Sequence, residues 1–153
     1  MKENSINSEF IIDEDGMMME YTGVGGDVAI PDGVKDIFFE AFYGSSIINS
    51  IVIPGSVSDI TPFVFEYSRI KIVRIEEGTT VIGACSFNNC DKLEIVYLPR
   101  SLYTIKMSAF ANCKSLKKIY YNGTEKDWAK VIKEDDWDEN TSKYCIEFSE
   151  NKN

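Results

Sequence analysis

The apolar residues of this chain recur at intervals of 22 or 23 positions. An aliphatic residue opens each unit, and the four opening residues are Ile30, Ile53, Ile75 and Leu98. Two columns, four and seven positions later, are apolar except for one threonine: Val34, Val57, Thr79 and Leu102, then Ile37, Ile60, Ile82 and Ile105. Twelve positions after each opening residue stands a phenylalanine: Phe42, Phe65, Phe87 and Phe110. Four phenylalanines in register indicate an internal repeat.

A unit this short cannot bury its own apolar face, so stacked units must share one core. The segments that lead into each opening residue, such as 50–53 and 95–98, are rich in β-branched residues and mostly end at proline, which predicts short strands. Stacked units run in one direction, so five such strands form a parallel sheet roughly 20 Å across. The alanine-containing stretches around Phe42 and Phe110 predict one-turn helices or 3₁₀ turns opposite. The predicted fold is a leucine-rich-repeat solenoid.

Strand residues alternate between the two faces of a sheet, so the repeat predicts which side chains point outward. The columns predicted to point inward are apolar: Val28, Ile51, Val73, Val96 and Ile119, with Ile30, Ile53, Ile75, Leu98 and Tyr121. The outward columns give a candidate partner-binding face: Val52, Ile72, Arg74, Ile95, Tyr97, Lys118 and Tyr120. Exposed clusters with Tyr and Arg mark contact surfaces. The alternative is that these residues only stabilise the strands through cross-strand pairs.

Written out, the unit is Ile-Pro-x-x-Val-x-x-Ile-x-x-x-Ala-Phe, then a small residue or Cys, then Leu, and residues 28–119 follow it. This pattern resembles the BspA-like leucine-rich repeat family of bacterial surface proteins. Three positions depart from the family pattern, since Val64 and Ser86 replace alanine and Glu76 replaces proline. The resemblance implies a bacterial surface or secreted protein involved in adhesion or host contact.

Both ends of the repeat also resemble that family. Asp15 and Gly16 form a hairpin signal within a small β cap, residues 1–27. The repeats take residues 28–120, as four repeats plus a fifth strand, and a helix-plus-strand cap takes 121–153, so residues 1–153 form one domain. Thr124 is a suitable N-cap, and three apolar residues at helical spacing are predicted to seal the last coil: Trp128, Val131 and Ile132.

Composition removes several classes of function. The chain has no histidine, which excludes Ser-His-Asp and Cys-His catalysis and all His-containing metal sites. The net charge of −9 and the lack of a basic run argue against nucleic-acid binding. The sequence has no run of 18 apolar residues, so no membrane-spanning helix is predicted. The first residues lack the apolar stretch of a signal peptide, so we expect a cytosolic protein or one from which a leader was removed.

The cysteines are candidates for chemistry, and two occupy one column in adjacent units, Cys90 and Cys113. A disulfide between them is conceivable, but we expect two small buried apolar residues, as the family resemblance also implies. A nucleophilic cysteine lacks its usual histidine base. Cys85 lies five residues before Cys90 and Cys145 lies in the cap, so we do not expect the four sulfurs to come within reach of one zinc ion.

Other motifs favour structural interpretations. The acidic run at 13–15 followed by Gly16 is better explained by a hairpin turn than by a calcium loop, since Val24 stands where the loop needs a glutamate. The acidic run at 134–139 is expected to be a solvated loop. The glycines at 23, 25 and 26 lack the residues of a phosphate loop. We therefore expect no cofactor, no metal and no catalytic residue.

The sequence predicts a non-catalytic binding or adhesion module that presents a rigid sheet face to a protein or other macromolecule, host-derived partners included, at the bacterial cell surface. The alternative hypothesis is a self-associating structural protein or an intracellular scaffold, in which exposed strand residues pair two copies face to face.

Overall fold

The computed structural model describes residues 9–149, which contain thirteen strands and one helix. In chain order these are β1 (Phe10–Ile12), β2 (Met17–Tyr21), β3 (Gly26–Ala29), β4 (Asp36–Ile37), β5 (Ile48–Ile53), β6 (Asp59–Ile60), β7 (Ile72–Ile75), β8 (Val81–Ile82), β9 (Ile95–Leu98), β10 (Thr104–Ile105), β11 (Lys118–Tyr121), α1 (Glu125–Lys130), β12 (Ile132–Lys133) and β13 (Cys145–Phe148). The chain therefore winds through a strand once per repeat, as a solenoid.

The larger sheet is parallel and has six strands in the order β13-β11-β9-β7-β5-β3. The five predicted strands are present and keep the repeat register, for example Ile51 beside Val73 and Val73 beside Val96. The sixth is β13, which places Ile146 beside Ile119. Because β13 lies in the cap and outside the repeat pattern, the sequence predicted a strand there but not its place in this sheet.

A second sheet on another side of the coil was not predicted. Four two-residue strands pair in parallel in the order β12-β10-β8-β6, with Asp59 beside Val81 and Val81 beside Thr104. At the N-terminal end, β4 pairs with β2 of a separate three-stranded sheet. Two residues per strand are too few to show alternation, so this second sheet left no periodic signal in the sequence.

Every column predicted to point inward is buried, and so are the columns that end in Leu102 and Ile105. The phenylalanines of successive units stack face to face, with ring centroids 5.1, 5.0 and 5.0 Å apart. Tyr21 lies 5.6 Å from Phe42 at one end, and Trp137 lies 6.2 Å from Phe110 at the other. These six side chains form the aromatic ladder, whose spacing matches that between paired strands.

The stretches around the phenylalanines are tight turns. They contain hydrogen bonds of the 3₁₀ kind, such as the one from the Ala111 amide to the Ser108 carbonyl at 3.1 Å, but no helix forms there. Left-handed residues interrupt each turn, two positions before and two positions after the ladder residue: Phe63, Cys85 and Ser108 before it, and Gly44, Tyr67, Asn89 and Asn112 after it. Left-handed backbone costs an L-residue about 1–2 kcal/mol, and glycine and asparagine tolerate it best.

The cap predictions are confirmed in part. The β1–β2 hairpin forms with Gly16 at φ 89°, and Thr124 caps α1 through a reciprocal hydrogen-bond pair with Asp127. Trp128 is buried as predicted, but the prediction for Ile132 is wrong, since its side chain is 47% exposed. The helix ends at Lys130, so Ile132 no longer follows its periodicity. The division into 1–27, 28–120 and 121–153 stays a prediction, and residues 1–8 and 150–153 lie outside the described residues.

We predict that Phe87→Ala destabilises the protein by about 3–5 kcal/mol, the usual cost of truncating a buried phenylalanine. Phe87 is fully buried between two ladder rings, so its loss leaves a cavity that the stacked coils cannot close. Urea unfolding followed by circular dichroism measures the loss. Phe39→Ala is the matched control, because Phe39 is 44% exposed. This substitution is expected to lower the free energy of unfolding by less than about 1 kcal/mol. Equal costs for the two variants would contradict a stabilising ladder.

Candidate binding face

The seven residues of the predicted face do lie on one side of the larger sheet. Strand register aligns them in two outward rows. The first row is Ala29, Val52, Arg74, Tyr97, Tyr120 and Glu147. The second row is Asp27, Ser50, Ile72, Ile95, Lys118 and Cys145. Both rows run across all six strands, so the face is continuous along the solenoid.

The first row contains a stack of a cation and two aromatic rings. The Arg74 guanidinium lies 3.8 Å from the centroid of the Tyr97 ring. Tyr97 and Tyr120 are 4.8 Å apart and within 10° of parallel. This separation equals the spacing of neighbouring strands, so the rings stack face to face along the sheet. The ring edges are left to meet a partner, and the Tyr120 side chain also hydrogen-bonds Lys118.

The second row is apolar at its centre and has a charged residue towards each end, Asp27 and Lys118. Ile72 and Ile95 are adjacent and half-buried. The Lys118 ammonium lies 2.6 Å from a Glu147 carboxylate oxygen and 5.3 Å from the Tyr120 ring centroid. The hydrogen bond to Glu147 raises the pKa of Lys118. The Ile72–Ile95 and Lys118–Glu147 contacts join neighbouring strands, so the pairing interpretation accounts for part of the composition. The role of the seven residues as a partner-binding face stays a prediction.

A groove of about 630 Å³ borders the stack at the carboxyl ends of the strands. Its walls combine the stack with carboxylate, amide and hydroxyl groups: Arg74, Tyr97, Tyr120, Glu76, Glu77, Asn122 and Ser149. Sequence reasoning missed the acidic and amide wall, because those residues follow the strands and belong to no alternating column. Glu76 and Glu77 stand where another unit has Pro54 and Gly55, which was the available signal.

Glu77 is fixed on that wall by three hydrogen bonds from later coils. Its carboxylate accepts from the Arg100 amide at 2.7 Å, the Ser101 amide at 3.0 Å and the Asn122 side chain at 2.8 Å. Burial raises the pKa of Glu77, but hydrogen bonds to Arg100, Asn122 and Ser101 outweigh burial and lower it overall. Glu77 therefore ties three coils together through its ionised form.

The two cysteines that share a column of the repeat are buried side chains. Cys90 and Cys113 are free and fully buried, so the structure has small apolar residues there and no disulfide. Their thiols donate to the Phe65 carbonyl at 3.1 Å and the Phe87 carbonyl at 3.3 Å. Burial raises the pKa of Cys90 to about 12. A thiol with such a pKa is a poor nucleophile at neutral pH.

The acidic motifs take the structural roles expected of them. The Asp13 carboxylate accepts from the amides of Asp15 and Met17 at 3.0 and 2.9 Å and so closes the hairpin turn. In the run at 134–139, Glu134 pairs with Lys106 at 2.8 Å and Asp138 accepts from the Tyr144 hydroxyl at 2.6 Å. Within residues 9–149, no group of three His, Cys, Asp or Glu side chains is arranged to hold a metal ion. Over the same residues, no helix has the length and apolarity needed to cross a membrane.

The parallel strands, the ladder and the unit length define a leucine-rich-repeat solenoid, a class that binds partners on extended surfaces. The chain belongs to the BspA type leucine rich repeat family, which matches residues 25–131 as six copies. The match extends the four repeats expected from the sequence into the region of both caps. No curated protein matches the chain.

Solved structures of bacterial leucine-rich proteins share the fold. A leucine rich cell surface protein from Faecalibacterium prausnitzii is 25% identical, with a TM-score of 0.50 over 80% of this chain and 40% of its own. A leucine-rich repeat protein from Bacteroides ovatus is 22% identical, with a TM-score of 0.54 over 72% of this chain and 44% of its own. A leucine-rich repeat protein from T. pallidum is 20% identical, with a TM-score of 0.53 over 92% of this chain and 84% of its own. This chain thus spans less than half of the first two proteins.

We predict that Glu77→Gln lowers the melting temperature by a few degrees at neutral pH, because an amide cannot replace an ionised acceptor of three hydrogen bonds. The folded-state pKa of Glu77 lies below its ordinary value of 4.5. Its contribution is therefore present above that pH and is lost as pH falls through the folded-state pKa. Thermal unfolding from pH 7 to pH 3 is the measurement, and the two proteins are expected to converge in acid.

Glu76→Gln is the matched control, since Glu76 is the exposed neighbour on the same wall. It is expected to unfold with the wild-type protein at every pH. A Glu77→Gln deficit that stays constant down to pH 3 would show that ionisation of Glu77 does not stabilise the fold.

Proposed function

We propose that this chain is a non-catalytic binding module that presents the outward face of the larger sheet to a protein partner. The observation that carries the proposal is the Arg74–Tyr97–Tyr120 stack beside the groove. Tyr and Arg dominate the binding energy of protein interfaces. The stack is held by parallel strands on both sides, so a partner orders few side chains on binding and meets a preorganised surface.

The geometry of the stack favours a protein over a sugar. Tyr97 has Arg74 on one ring face and Tyr120 on the other, at 3.8 and 4.8 Å. A ligand that stacks flat on Tyr97 would have to displace one of these contacts. Ring edges, hydroxyl groups and the Glu77 and Asn122 wall instead offer hydrogen bonds to backbone and polar side chains of a protein.

We place the module at the bacterial cell surface. The family to which the chain belongs and the cell surface protein from Faecalibacterium prausnitzii support this location. The partner's source, host or bacterial, does not alter the chemistry of the face, since the same side chains would meet either one. Self-association and an intracellular scaffold role are the rival outcomes of the experiments below.

The binding proposal is tested with a photo-reactive phenylalanine analogue at Tyr97, displayed to cells and to secreted proteins of the native environment. We expect one discrete cross-linked protein, which diminishes when Arg74→Ala removes the cation from the stack. The matched control carries the analogue at Tyr103, which is 62% exposed next to β10 of the second sheet. Equal cross-linking from both positions would refute a specific face, and a cross-link to a second copy that Ile95→Arg with Tyr97→Arg abolishes would favour self-association.

The location is tested by treating intact source cells with a protease and quantifying this protein against a cytosolic marker. We expect the protein to be lost while the marker remains, because a surface module is accessible from outside. Permeabilised cells, in which both must be lost, control for intrinsic resistance. Full protection in intact cells would refute the surface location and leave the intracellular scaffold as the better hypothesis.

A further inference from the structure

A second candidate site lies where the turns run into β5 and β7, away from the Arg74 stack. We call it the basic corner, and it comprises Tyr43, Ile47, Tyr67, Arg69, Lys71 and Lys92. Ile47 and the three cations line a groove of about 360 Å³, together with Ser46, Ile48 and Asn49. The Arg69 amide donates to the Ser45 carbonyl at 2.8 Å, which fixes the turn that leads into β7 against the one that leads into β5.

The charge of this region is opposite to that of the chain. The segments 68–72, 90–95 and 113–118 lead into β7, β9 and β11 and stack beside one another. They hold six of the 16 basic residues of the chain and only two of its 25 acidic residues. A chain with a net charge of −9 therefore carries a concentrated positive strip along one margin of its sheet.

The cations at the groove are available to an anionic partner. Across residues 9–149, neither Arg69 nor Lys71 forms an ion pair within 4.0 Å. Lys92 is paired only with its chain neighbour Asp91, at 3.5 Å, and both side chains are about half exposed. Such exposed pairs are weak and exchange readily with another carboxylate. Further along the strip, Glu94 pairs with Lys117 at 2.6 Å, and the charge of Lys71 also acts on Glu94 without forming an ion pair within 4.0 Å.

Apolar surface lies in the groove at Ile47 and on the turns that precede the groove residues in the chain, at Tyr43 and Tyr67. Ile47 is 52% exposed, and Tyr43 and Tyr67 are 51% and 54% exposed, with their rings in edge contact at 5.8 Å. Tyr67 lies two residues before Arg69 and has a left-handed backbone, φ 60°. The same turn position holds Gly44, Asn89 or Asn112 in the other units, residues that accept this backbone. Tyr67 therefore holds an exposed ring, in contact with Tyr43, at a backbone position that is costly for tyrosine.

We propose that the basic corner is a docking site for an acidic peptide segment of a partner protein, in which an apolar side chain lies beside the carboxylates. The carboxylates pair with Arg69, Lys71 and Lys92, and the apolar side chain packs on Ile47 and the Tyr43–Tyr67 pair. Charge complementarity selects the occupant. A long polyanion would extend beyond the strip and meet the negative remainder of the chain, whereas a short segment stays within a Debye length of about 8 Å of the cations.

The probe is a short fluorescein-labelled peptide of alternating glutamate and leucine, followed by fluorescence anisotropy at physiological salt. We expect Arg69→Glu with Lys71→Glu to weaken its binding by about tenfold or more, since two attractive charges become repulsive. Lys126→Glu with Lys143→Glu is the matched control. It changes the net charge equally at two exposed lysines outside the groove and is expected to keep wild-type affinity.

A second pair of variants separates binding from folding. Tyr67→Asn and Phe63→Asn each replace an exposed aromatic residue at a left-handed position, φ 60° and 64°, by a residue suited to it. Both are expected to keep or raise the melting temperature. Only Tyr67→Asn is expected to weaken peptide binding, because Phe63 precedes the ladder residue Phe65 in the chain, whereas Tyr67 follows it, contacts Tyr43 and leads into Arg69. Arg74→Ala is expected to bind the peptide normally, which keeps this test independent of the sheet-face proposal.

Three results would overturn the proposal. One is wild-type protein that does not bind the peptide, or that binds a lysine-for-glutamate version equally well. Another is an equal loss of peptide binding in the two double variants, Arg69→Glu with Lys71→Glu and Lys126→Glu with Lys143→Glu. That result would mean that net charge alone drives binding. The third is a size-matched heparin fragment that binds more tightly than the peptide and is indifferent to Tyr67→Asn and Ile47→Ser, which would assign the corner to anionic glycans.

Discussion

Stacking at the strand spacing is the constraint on which the rest of this structure depends. Each coil advances by the distance between two hydrogen-bonded parallel strands, and the ladder rings repeat at 5.0–5.1 Å along the same axis. A flat ring fills that rise without gaps, so the backbone hydrogen bonds and the aromatic contacts are satisfied together. Because every unit contacts only its neighbours, the same spacing is imposed on each outward column.

The outward face inherits this spacing. Arg74, Tyr97 and Tyr120 stack because their strands are paired in register, and the stack covers both faces of the Tyr97 ring. What is left for a partner is a row of edges, hydroxyl groups and charges on a rigid frame. Stacking also forms the basic corner, where Arg69 and Lys71 from one coil meet Lys92 from the next. A solenoid therefore makes surfaces by adding one side chain per turn, and neighbouring margins of one sheet acquire opposite character.

The ends obey the same rule, because an unpaired coil would expose the ladder. Tyr21 covers one end and Trp137 the other, each in ring contact with the terminal phenylalanine. Trp128 packs against both Trp137 and Tyr121, and α1 is fixed in place by the Thr124–Asp127 pair. The two caps thus use different secondary structures for one task, and only the aromatic contact is common to them.

The repeat in the sequence was enough to predict the solenoid, its inward columns, the five strands of the larger sheet and the seven residues of the candidate face. These follow from periodic burial, which each unit repeats and which local patterns therefore record. The tertiary structure decided four other features: the pairing of β13 with β11, the two-residue strands, the exposure of Ile132, and the wall made by Glu77 and Asn122. Each of these depends on contacts between positions that no period relates: Asn122 meets Glu77 from 45 residues away, across two coils. Periodicity determines what repeats, whereas a contact made once is settled only when the coils are stacked.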